Sequence, residues 1–252
     1  MDMKRSKAFG GVLLILMFVI FALYYILGRG DTNALWKIVN EQCVPNQEQN
    51  NDPTPCLKVD LSDRYVLFKD SKGPVHDLVM PTYKVSGIES PELQLDGTPP
   101  FFAFAWSERK HLDTEAGRPL PDSTVSLAVN SKYGRSQDQL HIHVSCLKDN
   151  VSAVLESEGA NISNEWKPIQ QKIEGHEYIA RKLNGTDLEK EDPIKLLNDY
   201  VKNINDKIGN YGLAVSFLRD GSVVALATRF DLLSLNLGSA GEIQDYSCQM
   251  QK

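Results

Sequence analysis

Two histidines one residue apart are the residues most able to do chemistry in this chain. They lie in the run Gln139-Leu140-His141-Ile142-His143-Val144-Ser145-Cys146, where polar and apolar residues alternate. On a strand that alternation puts His141, His143 and Ser145 on one face and turns Ile142 and Val144 toward a core. Two imidazoles sharing a face can divide labour: one attacks phosphorus through a neutral ring nitrogen while its neighbour orients it and stabilises charge. The same pair suits a metal ion, and an H-x-H on a sheet is also an ordinary structural pattern. Of the other histidines, His76 reads as a satisfied strand residue. His176 fits a packing role or a secondary site role equally. His111 follows Lys110 at the end of an expected helix, where a cation suits the helix dipole. Trp106 reads as a core residue rather than a base-stacking platform.

Strands and turns must hold these groups. The pattern predicts a hairpin of strands 65–69 and 75–81 around the turn 70–73, then strands 125–130 and 139–147 separated by the polar, glycine-containing segment 131–138. A second hairpin, 211–218 with 222–228, turns at Asp220-Gly221. A further strand is expected at 176–182, and helices at 33–40, 101–112, 151–156 and 193–208, with loops at 45–55 and 91–100. Antiparallel hairpins with interspersed helices indicate an α+β fold. The likeness of the two hairpins leaves both a duplicated half-domain and a chance similarity open.

The 252 residues carry a net charge of −6, which argues against a broad grip on nucleic acid, since that needs clustered basic charge. Lys4, Arg5 and Lys7 precede an uncharged apolar run, residues 8–27, long enough to cross a bilayer as a helix. The run lacks the small residues of a cleavage site, so a retained anchor is expected, with its basic tip in the cytoplasm. Everything after Arg29 would then be exported. Four cysteines, Cys43, Cys56, Cys146 and Cys248, suit an oxidising compartment. Local pairing would join Cys43 to Cys56 and leave Cys146 with Cys248, although four cysteines permit three connectivities. No C-x-x-C is present, so zinc and redox chemistry have little support.

Val129-Asn130, a glycine-bearing loop, Gln137-Asp138 and then His-x-His together resemble the histidine triad superfamily of nucleotide hydrolases and transferases. His76-Asp77-Leu78-Val79-Met80-Pro81 resembles that superfamily's H-x-L-V-[IV]-P strand. A narrower resemblance, to the bacterial CDP-diacylglycerol pyrophosphatases, runs through Leu35-Trp36-Lys37-Ile38-Val39, Pro55-Cys56-Leu57-Lys58-Val59-Asp60, Met80-Pro81-Thr82-Tyr83, Gly175-His176-Glu177-Tyr178 and Glu242-Ile243-Gln244-Asp245. It implies a HIT-like antiparallel sheet with flanking helices and hydrolysis of CDP-diacylglycerol to CMP and phosphatidate, with no cofactor and no metal. The expected division is a tip and anchor at 1–30, a catalytic region at 31–150 and an α+β region at 151–252 packed on it.

Carried over by position, the resemblance makes His143 the nucleophile, through a cytidylyl-histidine, with His141 shaping the site and Asn130 orienting it. Ser145 stands where most triad enzymes have their third histidine, and Asp138 where they often have a serine near the phosphate. Gln137, Asp138, Gln139, Lys132 and Arg135 form the expected substrate-binding set, the two cations facing the pyrophosphate. Serine is no proton donor near neutral pH, so these residues leave the catalytic acid unnamed. The competing readings are a hydrolase or transferase for other nucleotide pyrophosphates, and a non-catalytic anchored module that binds lipid or nucleotide.

Overall fold

The computed structural model describes residues 30–249, together with Leu16 and Val19. The expected anchor at 8–27 otherwise lies outside the described residues, among which no helix is long and apolar enough to cross a membrane. The strands are β1 (Lys58–Asp60), β2 (Tyr65–Lys69), β3 (His76–Pro81), β4 (Val125–Val129), β5 (Ile142–Leu147), β6 (Lys167–Pro168), β7 (Ile179–Lys182), β8 (Tyr211–Phe217), β9 (Val223–Arg229) and β10 (Gln244–Asp245). They form one antiparallel sheet in the order β1-β2-β3-β5-β4-β8-β9-β7-β6, with β10 added along β5. The α+β expectation holds. Both hairpins form, on opposite flanks of the central β5-β4 pair, and the pairing of β4 with β8 makes 31–150 and 151–252 share one sheet.

Several boundaries differ from expectation for identifiable reasons. The first helix does not stop near residue 40: α1 (Ala34–Ile38) passes through a π-helical turn (Val39–Cys43) into α2 (Val44–Asn50), across much of the expected loop. Pro45 falls just after the π-helical turn, where the widened backbone accommodates a residue that cannot donate an N–H. Val39 and Cys43 are buried against Val66, Leu78 and Met80, so packing overrides a polar composition. The helix expected at 101–112 is two, α3 (Phe101–Glu108) and α4 (His111–Ala116). Arg109 ends the first by donating to the Trp106 carbonyl while its guanidinium clamps Asp122. His111 therefore opens a helix rather than closing one, which removes its expected dipole role. The helix α5 (Asp149–Glu158) matches expectation closely, whereas α6 (Pro193–Asn203) ends before Asn205, which takes φ 56°.

The two faces of the sheet are covered differently. On one face Val125, Leu127, Val129, Ile142, Val144, Cys146, Leu213 and Val215 build a continuous core with Phe101, Phe102 and Leu197 from α3 and α6. On the other face there are two separate clusters. The one under α1 and α2 covers Val66, Leu78 and Met80, and the one under α5 covers Ala128, Ala214, Val224 and Leu226. Between those clusters lie β3, β5 and β4, presenting His76, His141, His143, Ser145 and Ser126.

Two disulfides close this arrangement, Cys43–Cys56 and Cys146–Cys248, the local pairing and its complement. The second joins central β5 to the last described residues across a sequence separation of 102. Replacing Cys146 and Cys248 together by Ala is expected to lower unfolding stability by about 2–5 kcal/mol, by releasing a long loop in the unfolded chain. Urea denaturation of the double variant checks this, and an unchanged midpoint would show that the bridge constrains nothing.

Candidate active site

The register of β3 on β5 brings imidazoles together from two strands. His76 lies directly opposite Ser145, and Leu78 opposite His143. Ser145 is small and fully buried, and its hydroxyl donates to the Val75 carbonyl at 2.6 Å. The His76 ring can therefore lean diagonally across it and meet His143, with Nε2 of His76 2.8 Å from Nδ1 of His143. Their ring centroids are 5.1 Å apart with planes inclined by 15°, so the rings meet edge to edge rather than face to face. Tyr246 stacks flat on His76, with centroids 3.8 Å apart and planes 7° apart. Gly73 permits that stack, since a Cβ there would collide with Tyr246.

The far side of His143 is set by a strap, residues 238–243, folded over β8 and β4. At Gly212 the strap lies so close to the strand that a Cβ would strike the Gly238 carbonyl. Within the strap the Gly241 N–H donates to Asn130 Oδ1 at 3.0 Å. That bond fixes the carboxamide, so its NH₂ group faces His143 Nε2 at 3.4 Å. Two donors do not face each other, so Nε2 of His143 carries no proton and its hydrogen sits on Nδ1. His143 then donates to His76 Nε2, and His76 carries its own hydrogen on Nδ1, toward Asp70 Oδ2 at 3.7 Å, beyond a hydrogen bond but within electrostatic reach. One backbone N–H thus sets the tautomers of two rings.

Burial keeps these rings neutral. His143 is 1% exposed, and desolvation, followed by the neighbouring His141 and His76, holds its pKa well below the ordinary imidazole value. Desolvation likewise lowers His141, and it pushes His76 down to about 4, against the opposing pull of Asp70. His141 donates from Nδ1 to the Gln139 carbonyl at 2.6 Å and meets His143 edge-on, with centroids 4.9 Å apart. The arrangement is a buried, neutral imidazole with an acceptor at its Nδ1 and an unprotonated Nε2.

The model of the CDP-diacylglycerol pyrophosphatase family matches residues 30–252. The chain belongs to that family. It is therefore a phosphoanhydride hydrolase.

Not every residue expected at the site lies beside His143. His141, His143, Ser145 and Asn130 converge. Gln139 is fully buried, and its amide holds the Pro81 and Tyr83 carbonyls, bracing the end of β3. Gln137 bridges the Asp31 carbonyl and the Leu35 N–H, pinning the start of α1. Arg135 pairs with both Glu89 and Asp138, so cation and carboxylate are engaged with each other, while Lys132 is exposed and donates its main-chain N–H to Gly209. Trp106 lies on the opposite face of the sheet, stacked on Phe217 at 3.5 Å.

Among the residues sequence reasoning undervalued, His76 is foremost, with Asp70, Tyr246 and Gly241 around it. The available signal for His76 was its place in an apolar strand two residues before Leu78, but pairing register is not visible in one strand alone. Glu242 anchors the strap by accepting from Tyr178 at 2.7 Å and meeting His176 Nδ1 at 2.9 Å, which gives His176 a positioning role.

Among the described residues, two groups have donor atoms within 4.8 Å of one another that a metal ion can use: Asp70 with His76 and His143, and Asp77 with His111 and Glu115. In the first, the in-line N···N contact of 2.8 Å is the geometry of a shared proton. In the second, on the opposite face of β3, His111 Nδ1 donates to Asp77 at 2.9 Å, and burial with nearby Glu115 raises the Asp77 carboxyl to about 7.

Depressed imidazole pKa values have a thermodynamic sign. Below pH about 6.5 the unfolded chain binds protons that the folded rings refuse, so this stability is complete above that pH and is lost as pH falls toward 4. The urea midpoint is expected to fall between pH 7 and pH 5, and NMR should show the His143 ring neutral throughout that range. A His143 ring that titrates near 6.5 would overturn the neutral-nucleophile assignment.

Proposed function

We propose that His143 Nε2 attacks the phosphorus bearing the CMP portion of CDP-diacylglycerol, expelling phosphatidate and forming a cytidylyl-histidine that water then hydrolyses. The observation that carries this reading is the orientation of the Asn130 amide, which leaves the attacking nitrogen with its lone pair. As the N–P bond forms, positive charge develops on the ring. The Nδ1 proton is then shared with His76 Nε2, whose own Nδ1–H faces Asp70. In a dry site such sharing stabilises the charge more than it would in water. In the second step water attacks phosphorus, the N–P bond breaks and His143 recovers its lone pair. We read the group as a histidine triad whose third imidazole comes from β3, because Ser145 leaves room for it. His143 is 1% exposed, so the substrate phosphate reaches it only when the cover over the ring withdraws.

The reading extends to location. Residues 8–27 serve as a membrane helix with the basic tip in the cytoplasm, which puts the hydrolase domain on the exported side, at the surface where a diacyl lipid resides. The two disulfides support an oxidising compartment.

His143→Ala is expected to lower turnover of CDP-diacylglycerol in detergent by about 10³-fold or more while substrate binding persists. His76→Ala is expected to cost about 10²–10³-fold, with Asp70→Asn milder. Acid-labile, cytidylyl-labelled histidine should be trapped in rapid-quench samples and be absent from His143→Ala. Turnover that stops with chelator and yields no covalent adduct would replace this mechanism with a metal-assisted one.

A further inference from the structure

The segment after β9 exposes four leucines together: Leu232, Leu233, Leu235 and Leu237 are 66%, 97%, 79% and 46% exposed. Exposed apolar residues usually occur singly, and a cluster marks a surface that meets something. The segment is built rather than loose. Asp231 and Asn236 exchange main-chain hydrogen bonds of 2.8 and 2.9 Å. The Asp231 carboxylate accepts from Leu233 N–H and Ser234 Oγ. Buried Asn236 donates to Thr228 Oγ1 and accepts from Gly238 N–H. Polar groups are thus satisfied within the turn, and the leucines project outward.

What the turn meets is indicated by its neighbours. The Leu237 carbonyl accepts from Ser131 Oγ at 2.5 Å, one residue from Asn130 of the active site. Phe230 stacks with Tyr133 at 4.2 Å, and Gly134 packs on Leu237 and Ser239. The same 131–138 loop receives the start of the described chain: Asp138 N–H donates to the Thr32 carbonyl at 2.6 Å and Gln137 to the Asp31 carbonyl at 3.0 Å. The described chain therefore begins on the loop that also holds the leucine turn, with the apolar run 8–27 just ahead of it in sequence. Exposed Lys132 lies beside the turn, while half-exposed Arg229 is paired with Asp206 at 2.6 Å, so it is the clustered leucines rather than the net charge that favour a bilayer.

We propose that the leucine turn 231–237 inserts shallowly into a phospholipid bilayer, with Lys132 at headgroup level, docking the active site on the surface that holds its substrate. This rests on the reading of residues 8–27 as a membrane helix and of CDP-diacylglycerol as the substrate. The turn then acts as a second contact with the bilayer, one that orients the domain the helix alone would leave free to tumble.

The test uses the full chain in nanodiscs containing anionic phospholipid. Leu233→Cys and, as a control at the opposite end of β9, Lys190→Cys each carry an environment-sensitive fluorophore; the four native cysteines are paired in disulfides. The Leu233 label is expected to shift to the blue and to be quenched by nitroxides on the acyl chains, while the Lys190 label stays as in water. A Leu233 label that no lipid nitroxide quenches overturns the proposal, as does one shielded equally in lipid-free detergent in proportion to protein concentration, which would mark a second copy. Leu232, Leu233 and Leu235 replaced together by Ser should lower turnover of long-chain CDP-diacylglycerol in vesicles by roughly tenfold or more. Turnover of a short-chain, water-soluble analogue should be unaltered. If wild-type protein hydrolyses neither substrate, the functional reading fails; if it hydrolyses both and the triple variant matches it on vesicles, the docking proposal alone fails.

Discussion

The site depends on keeping three imidazoles uncharged in the middle of a sheet. A buried ring that gained a proton would need a counter-charge, and Asp70 stands 3.7 Å from His76 and within 4.8 Å of His143, beyond hydrogen-bonding distance of the first. In the proposed mechanism desolvation works in favour of the chemistry: it withholds protons from His143 Nε2 and strengthens the hydrogen bond at Nδ1. The cost is restricted access, since a ring 1% exposed cannot meet a lipid pyrophosphate without movement around it.

Most of the remaining architecture holds that desolvated geometry in place. A sheet buried on both faces fixes cross-strand register, because a shift by one residue would exchange the core and site faces of β3. Ser145 matters by being small, Gly73 and Gly212 by lacking a Cβ, and Gly241 by offering an N–H. None of these is a chemical participant. Each decides where a participant's ring or amide is held, and the hydrogen-bonded pair Tyr178 and Glu242 extends the same logic into the strap.

Local alternation was enough to read the longer strands, both hairpins and the shared face of His141, His143 and Ser145 from the sequence, but not the two- and three-residue strands β1, β6 and β10, which exist only through their pairing. The cysteine arithmetic likewise pointed to the observed pairs. Register was not legible. His76 and His143 are separated by 67 residues, and nothing in either strand's pattern says which residues oppose each other. Resemblance to triad enzymes placed Lys132, Arg135, Gln137, Asp138 and Gln139 near the phosphate, but ion pairs and main-chain contacts claim most of these side chains. Polarity on a loop is satisfied as readily by neighbours as by a ligand. The Arg109 break in the expected helix and the helical reach of 44–50 were likewise decided by long-range partners, Asp122 and the Cys56 bridge.

The Cys146–Cys248 bridge and the stacking of Tyr246 on His76 also bear on biosynthesis. His76 enters with the early hairpin, whereas the ring stacked on it and the N–H that orients Asn130 enter only with residues 241–246. The proposed mechanism therefore needs those late residues, and their bridge to β5, in place before the centre is aligned.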